Sequence, residues 1–246
     1  TTVTGLAVPS IEARIASVVG LRPDVKRVPL FGLGCLAGAA GLARLHDFML
    51  GWPDAVGILL SVELCSLTLQ RDDPSMANLV ASGLFGDGAA AAVVVGAHRS
   101  EPGPEIIASR SHLYPDTGRA MGWDFGAGGL KVVLGAEVPD LVTMYLADDV
   151  KGLLTDHRLH VGDIETWVAH PGGPKVLRAI ERALQLPADA LAVTWRSLAA
   201  IGNLSSASVL HVLRDTLDER TPRSGSPGLM LAMGPGFCAE LVLLRW

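Results

Sequence analysis

The sequence predicts a layered α/β fold, and three observations carry this prediction. Hydrophobic residues make up 49% of the 246 residues and charged residues 18%, a balance that supplies a large apolar core and excludes disordered or coiled-coil chains. The 28 glycines and 15 prolines lie between periodic segments. Short apolar runs alternate with longer amphipathic stretches, as strands alternate with helices in α/β proteins.

Residues 1–100 are predicted to contain three strands and one helix. A short strand over Val25–Phe31 leads through a glycine-containing turn into a helix over Leu36–Leu50. Ala55–Ser61 and Ala89–Val95 are nearly continuous apolar runs, typical of strands in a sheet that is covered on both faces.

The remaining residues are predicted to form three helices and three strands, the last two strands pairing as a hairpin. The helices are Leu141–Asp156, Gly173–Leu186 and Leu204–Leu217, and the strands are Trp167–Ala169, Leu229–Met233 and Glu240–Leu244.

Charge and cysteine content narrow the classes of partner and compartment. With 20 basic and 25 acidic side chains the net charge is −5, so we expect neither nucleic acid nor a membrane as a partner. The longest apolar runs fall far short of the roughly 20 residues that span a bilayer, and no secretory signal is visible. Three cysteines (Cys35, Cys65 and Cys238) fit a reducing cytoplasm better than a disulfide framework, so we expect a cytoplasmic protein.

Cys35 is the first candidate for a reactive side chain. It lies between Gly34 and Gly38 on the turn from the predicted strand to the predicted helix. Unpaired N–H groups and the positive end of the helix dipole favour the thiolate there, which is the nucleophilic form. The alternative is a small buried cysteine that packs beneath a Gly/Ala-rich helix.

Two other turns carry possible partners for this thiol. His170 ends an apolar strand before a Pro-Gly-Gly turn, where an imidazole can exchange a proton with a thiol or donate to an oxyanion. Asn203 lies at a predicted helix start, where its amide can also donate to an oxyanion. Each has a structural alternative, a hydrogen-bonded residue at a strand end for His170 and an N-cap for Asn203. The order Cys, His, Asn, each on a turn, favours one shared site for nucleophilic catalysis.

Five segments resemble the type III polyketide synthases, the chalcone-synthase-like enzymes, and two further segments, residues 62–67 and 121–124, resemble the bacterial form of these enzymes. The five segments are residues 33–45 (LGCLAGAAGLARL), 84–91 (LFGDGAAA), 167–176 (WVAHPGGPKV), 202–208 (GNLSSAS) and 233–236 (MGPG). The resemblance runs along the whole sequence and implies a thiolase-like fold of two related α/β halves. Residues 1–100 would be the remainder of the N-terminal half, which carries the nucleophilic Cys35, and residues 101–246 the C-terminal half with His170 and Asn203. Relatives have a further segment ahead of Thr1, so we expect the first part of the N-terminal half to be absent from this sequence.

The resemblance implies an acyltransferase in which Cys35, His170 and Asn203 are the catalytic residues. Cys35 takes the acyl group from an acyl-CoA, and malonyl-CoA loses CO₂ while His170 and Asn203 donate to its enolate oxygen. The carbanion then attacks the Cys35 thioester, and repeated extension is followed by cyclisation. CoA thioesters are the expected substrates, a homodimer is the expected assembly, and neither a metal nor another cofactor is expected.

The resemblance also assigns residues to the substrate cavity. Phe85 matches an aromatic gatekeeper between the CoA tunnel and the cavity, although a core phenylalanine before a turn would look the same. Val132 lies at a second gatekeeper position that is aromatic in plant enzymes, and Val8 lies in a loop that reaches into the partner subunit's cavity. The other assigned positions are Cys65, Thr68, Ser205, Gly234, Pro235, Gly236 and Lys175, the last of which is otherwise a solvated lysine. Few of these side chains are bulky, which predicts a long-chain fatty acyl starter and alkylpyrone or alkylresorcinol products.

Three other functions remain open at this point. A cysteine hydrolase shares the order Cys, His, Asn but is expected to carry an aromatic-flanked cysteine and disulfides. A ketoacyl-ACP synthase III-like enzyme shares the three residues and the fold, and performs a single condensation with an acyl carrier protein. A non-catalytic thiolase-fold partner subunit would retain the three residues without using them.

Overall fold

The computed structural model describes residues 1–220 and 222–246. These residues contain seven α-helices and eight strands. The helices are α1 (Ile11–Val18), α2 (Ala37–Gly51), α3 (Met76–Leu84), α4 (Val138–Asp156), α5 (Pro174–Leu184), α6 (Ala192–Ile201) and α7 (Ser208–Arg220). The strands are β1 (Val56–Glu63), β2 (Gly88–Val95), β3 (Glu105–Leu113), β4 (Met121–Gly126), β5 (Gly129–Leu134), β6 (Thr166–Ala169), β7 (Pro227–Gly234) and β8 (Cys238–Arg245).

A four-stranded sheet in the order β3-β8-β7-β6 is the centre of the molecule. Strands β6 and β7 are parallel, whereas β7–β8 and β3–β8 are antiparallel. Two antiparallel pairs, β1–β2 and β4–β5, lie outside this sheet. Because parallel strands end at the same edge, the residues that follow β6 and β7 lie side by side there.

Both faces of the central sheet are buried against helices. In β7, Leu229 and Leu231 belong to the core cluster that includes α4 and α5 residues, whereas Met230 and Ala232 belong to the cluster that includes α2 and α7 residues. This burial on both sides explains why β7 and β8 are nearly continuous apolar runs in the sequence. The order of layers is therefore helices, sheet, helices, and then the β1–β2 pair, since Leu59 of β1 packs in the α2–α7 cluster.

Two expectations about the first hundred residues are wrong. Val25–Phe31 is not a strand, because within it only Phe31 pairs, through an isolated bridge with Thr2. Its charged Lys26 and Arg27 are exposed, and Pro29 has no N–H to give to a ladder. The β1–β2 pair is not covered on both faces, because the side chains of Val56 and Ile58 are nearly half exposed.

The other predicted elements are present, with small shifts at their ends. The helix predicted from Leu204 begins at Ser208, after a 3₁₀ turn over Ser205–Ala207. Helices α1, α3 and α6 and strands β3, β4 and β5 were not predicted. Among the described residues, no helix is both long and apolar enough to cross a membrane.

Candidate active site

Cys35 lies in a tight 3₁₀ turn, Gly34–Leu36, that leads directly into α2. Gly34 has a φ of +54°, and a Cβ there would lie 2.5 Å from Cδ of Pro235, so only glycine fits this turn. The thiol is buried, and its Sγ lies 3.8 Å from Oγ of Ser205. The sequence prediction that places this cysteine at a helix start is confirmed.

Asn203 is fixed by both its backbone and its side chain. Its N–H donates to the carbonyl of Leu84 over 2.9 Å, and its own carbonyl accepts from the N–H of Gly86 over 3.0 Å. The side-chain Oδ1 accepts from the N–H of Ser205 over 2.8 Å, which is the capping role that the structural alternative predicts. This bond occupies the amide oxygen and leaves the NH₂ group to donate, and the side chain of Asn203 offsets part of the rise that burial causes in the pKa of the Cys35 thiol. The capping role and a role at the thiol are therefore compatible.

His170 follows the last residue of β6 and is held there by its backbone. Its N–H donates to the carbonyl of Leu231 in β7 over 2.8 Å. The imidazole is 5% exposed, and among the described residues neither of its ring nitrogens has a hydrogen-bond partner. A buried unpaired imidazole is costly in a folded protein, so this side chain is not the hydrogen-bonded structural histidine of the alternative. It is free to bond a substrate.

The sheet and two turns bring the three side chains towards one edge. Residues after β6 (His170) and after β7 (Pro235) share the edge where the parallel strands end, and Pro235 packs against the turn that carries Cys35. On the other side, Gly173 of the His170 turn lies against Leu84, whose carbonyl holds Asn203.

Burial dominates the electrostatics of the thiol and the imidazole. Burial raises the pKa of Cys35 to about 12, and the side chains of Ser205 and Asn203 offset only part of this rise. Burial also lowers the pKa of His170 to about 3. Burial therefore opposes the thiolate that the helix start was expected to favour, since desolvation of the sulfur is the largest cause of the shift in its pKa.

A cavity of about 30 Å³, room for roughly two water molecules, adjoins the thiol. Of the residues assigned to substrate binding or catalysis, six line it: Cys35, Cys65, Phe85, Val132, Ser205 and Pro235.

The other assigned positions do not line this cavity. Thr68 donates from Oγ1 to the carbonyl of Cys65 over 2.8 Å, and Gly234 packs against the backbone of Leu33, where a Cβ would lie 2.7 Å from the carbonyl oxygen. Gly236 lies against Leu113, and Lys175 is exposed on the first turn of α5.

The most important cavity residue that sequence reasoning missed is Trp123. It lies directly opposite Val132 in the β4–β5 pair, and both side chains line the cavity. The hairpin is held by Gln70, whose amide donates to the carbonyls of Gly128 (3.2 Å) and Leu130 (3.1 Å). The room expected from the small Val132 is therefore reduced by an indole on the facing strand. The only sequence signal was a bulky tryptophan directly after a glycine, in a segment that is typical of a loop.

Glu63 was also missed, although it is a lone charge at the end of an apolar run. It is completely buried, and its Oε2 accepts hydrogen bonds from the N–H of Val3 (3.0 Å) and Oγ1 of Thr4 (2.9 Å). Its Oε1 accepts from the hydroxyl of Ser206, next to Ser205 of the cavity wall. The carboxylate therefore joins the start of the chain, β1 and the Asn203 turn.

Two family models together cover nearly the whole chain. Residues 1–99 match the N-terminal domain of chalcone and stilbene synthases, and residues 105–246 match the C-terminal domain of the same enzymes. The chain belongs to the chalcone and stilbene synthase family. The family predicted from the five motifs is thereby confirmed.

Individual members of this family are similar along the entire chain. The 1,3,6,8-tetrahydroxynaphthalene synthase of Streptomyces peucetius subsp. caesius is 58% identical over 249 aligned positions, which cover 100% of this chain and 66% of that protein. The "alpha-pyrone synthesis polyketide synthase-like Pks18" of Mycobacterium tuberculosis is 31% identical over 98% of this chain and 63% of its own length. The chain thus spans about two thirds of the length of the curated relatives it matches.

A solved structure of the family shows the same fold. The crystal structure of 1,3,6,8-tetrahydroxynaphthalene synthase from Streptomyces coelicolor A3(2), described as a bacterial type III polyketide synthase, superposes with a TM-score of 0.96 at 34% identity. It covers 100% of this chain, which in turn covers 70% of that one. The predicted thiolase-like α/β fold is confirmed.

Proposed function

We propose that this chain carries the reaction centre of a type III polyketide synthase, an acyltransferase that extends an acyl-CoA starter with malonyl-CoA. The observation that carries the proposal is the buried thiol of Cys35, in the 3₁₀ turn directly before α2, at the same edge as the unpartnered imidazole of His170. Family membership supports the same reaction class.

Each of the three residues has a step in the proposed reaction. Cys35 passes its proton to His170 and attacks the thioester carbonyl of the starter, and free CoA leaves with that proton. Malonyl-CoA then loses CO₂, and its enolate oxygen accepts hydrogen bonds from the NH₂ group of Asn203 and from the ring of His170. The enolate carbon attacks the Cys35 thioester and releases the thiolate, which is ready to accept the lengthened chain.

A compact starter derived from malonyl-CoA is the first candidate. The product named for the Streptomyces peucetius relative has ten ring carbons with oxygens in alternating positions, as five two-carbon units would leave them. Malonyl-CoA alone can supply those units. The small cavity and the indole of Trp123 opposite Val132 support this choice, because neither leaves space for a long acyl chain.

A long-chain acyl starter with alkylpyrone or alkylresorcinol products is the second candidate. The Mycobacterium tuberculosis relative named for alpha-pyrone synthesis, at 31% identity, favours it. The thiol of Cys65 and the aliphatic Val132 at the cavity wall are also small enough to allow it once the cavity widens. The long-chain starter predicted from the sequence stays a prediction.

We further propose that the protein is a homodimer and works in the cytoplasm. Within each chain, the two thiolase-like halves would meet near residue 100. The loop that would reach the partner subunit carries Val8, whose side chain is 97% exposed. Together with Leu6, which is also exposed, it gives this loop an apolar surface of the kind found at contacts between subunits.

Product analysis by liquid chromatography and mass spectrometry tests the proposed function. The purified protein is incubated with malonyl-CoA alone and with lauroyl-CoA plus malonyl-CoA, beside a Cys35→Ala variant. We expect an aromatic polyketide from malonyl-CoA alone, and none from the variant. A product only with lauroyl-CoA would favour the second candidate, and no polyketide from either mixture would contradict the proposed function.

A further inference from the structure

The carboxylate of Asp87 joins two backbone segments that both reach the cavity. Strands β1 and β2 pair as far as Glu63 and Gly88, and beyond this last pair the two chains separate. Asp87 lies directly before β2, and its two oxygens both bond Ser66, which lies beyond the end of β1. Oδ1 accepts from the N–H of Ser66 over 2.7 Å, and Oδ2 accepts from its hydroxyl over 2.7 Å.

These two bonds are charge-assisted. The N–H of Ser66, followed by its hydroxyl, holds the pKa of Asp87 below its usual value, so the carboxylate is ionised at neutral pH. Charge-assisted bonds are shorter and stronger than neutral ones, and two of them to one residue also fix its orientation. Asp87 therefore closes the open end of the β1–β2 pair as another backbone pair would.

Each of the two segments that Asp87 joins contains a residue that lines the cavity. On one side, Ser66 lies in the 3₁₀ turn Cys65–Thr68, directly after Cys65. On the other side, Phe85 lines the cavity two residues before Asp87.

The second segment also holds the backbone of Asn203. The carbonyl of Leu84 accepts from the N–H of Asn203, and the N–H of Gly86 donates to the carbonyl of Asn203. A continuous path of bonds thus runs from the Cys65 turn, through Asp87, to the backbone of Asn203.

We propose that Asp87 is a positioning residue that holds the Cys65 turn against Phe85 and thereby fixes Asn203 at the thiol. The inference rests on the proposed function, because Asn203 acts there on the enolate. Loss of the carboxylate lets the cavity wall and Asn203 shift together. A misplaced donor lowers the rate of each condensation more than it weakens the binding of malonyl-CoA.

Three variants of the purified protein test this proposal. Asp87→Ala removes both bonds, whereas Asp87→Asn keeps both, because its amide oxygen accepts the N–H and its NH₂ group donates to the hydroxyl. Asp163→Ala is the matched control. That carboxylate likewise accepts a backbone N–H, from His160 over 2.7 Å, but lies at the end of β6 away from His170.

The first readout is amide hydrogen exchange, which needs no activity. In Asp87→Ala we expect the amides of Ser66, Gly86 and Asn203 to exchange about tenfold faster, and in Asp87→Asn to stay near wild type. Faster exchange at Ser66 alone would contradict the proposal, since loss of the carboxylate would then not affect the backbone of Asn203. Because this readout is independent of turnover, it judges the inference even if the protein makes no polyketide.

The second readout is catalysis. We expect Asp87→Ala to lower kcat about tenfold, with KM for malonyl-CoA changed much less, and to raise the share of prematurely released chains. The Asn variant should restore both, and Asp163→Ala should leave both unchanged. A purely structural role would lower the melting temperature and the active fraction but leave the product ratio unchanged, which would overturn the proposal. If Asp87→Ala does not fold, Ser66→Ala decides, because loss of the hydroxyl bond should shift the product ratio in the same direction and an unchanged ratio would count against it.

Discussion

At the scale of single residues, the site is defined by what Cys35 and His170 lack. Both side chains are buried, and the imidazole has no hydrogen-bond partner among the described residues. Burial therefore raises the pKa of the thiol and lowers that of the ring. In the reaction we propose, the two groups become reactive when the proton moves from the sulfur of Cys35 to a ring nitrogen of His170.

Replacing His170 by alanine should suppress the reactivity of Cys35. Without the ring as proton acceptor, the thiol must ionise on its own, and burial opposes this by raising its pKa. At pH 7 we expect alkylation of Cys35 by iodoacetamide to slow by at least about tenfold, and its rate to keep rising with pH beyond pH 10. In wild type the rate should level off at lower pH. Peptide mapping by mass spectrometry assigns the alkylated cysteine.

His112→Ala is the control for this prediction. His112 is a half-exposed histidine bound to Asp149 over 2.5 Å, so its loss should leave the alkylation profile of Cys35 unchanged. If His170→Ala and wild type showed the same pH profile, His170 would not be the proton acceptor.

The sequence predicted which residues form the site and that they lie on turns, but it said less about what surrounds each side chain. Glycines around Cys35 and after His170 mark tight turns, because few other residues adopt those conformations. The direction of the pKa shift of Cys35 was not accessible, because it depends on how much of the chain packs over the sulfur. The partners of Asn203 were only partly accessible, since its cap to Ser205 is local but its pairing with Leu84 and Gly86 is long-range.

At the scale of elements, the β4–β5 hairpin sets the free space beside the thiol. Trp123 and Val132 face each other across it, and the amide of Gln70 holds its far end. An aromatic side chain at either of two facing positions can fill the same space. The residue at position 132 alone therefore does not determine the size of the cavity.

Trp123→Gly should admit longer starters. Removal of the indole opens space next to Val132, so we expect kcat/KM for lauroyl-CoA to rise by at least about tenfold relative to condensation of malonyl-CoA alone, as contacts worth a few methylene groups allow. Steady-state assays with both substrates measure this ratio.

Phe125→Ala is the matched control for the hairpin. Phe125 lies two residues further along β4 and is 66% exposed, so its loss should leave the starter preference unchanged. If Trp123→Gly used lauroyl-CoA no better than wild type does, the starter length would be limited elsewhere in the cavity.

Helices and strands that bury a regular pattern of apolar side chains could be predicted from the sequence. Strands that form only because they pair with each other could not. Strands β7 and β8 are continuous apolar runs because helices cover both faces, and α2 is a run of small residues in the core. Strands β4 and β5 contain several glycines and polar residues, so their sequence is typical of a loop. Their strand character comes from the six pairs of facing residues between them, from Met121–Leu134 to Gly126–Gly129.

At the scale of the whole molecule, Glu63 joins segments that are far apart in sequence. Its carboxylate accepts from Val3 and Thr4 at the start of the chain and from Ser206, 143 residues away. Family motifs could predict the overall fold, because several short segments match known enzymes. They could not predict this network, because each partner is an ordinary residue in its local sequence.

Glu63→Ala should therefore destabilise the fold more than its size implies. It leaves buried N–H and hydroxyl donors without an acceptor, so we expect the free energy of unfolding to fall by about 3 kcal/mol, and Glu63→Gln to cost about 1 kcal/mol because the amide keeps some of these bonds. Urea unfolding followed by circular dichroism measures both. Glu105→Ala, which removes an exposed ion pair with Arg245, should change stability by less than about 0.5 kcal/mol. Equal stability of Glu63→Ala and wild type would show that the network contributes nothing.

Intact-protein mass spectrometry after brief incubation with acyl-CoA tests the central claim most directly. The two thiols that line the cavity, Cys35 and Cys65, are separated by comparing wild type with Cys35→Ala and Cys65→Ala. We predict a mass increase of one acyl group in wild type and in Cys65→Ala, none in Cys35→Ala, and loss of the adduct with release of a polyketide when malonyl-CoA is added. An adduct that persists in Cys35→Ala, or the absence of any adduct in wild type, would contradict Cys35 as the nucleophile.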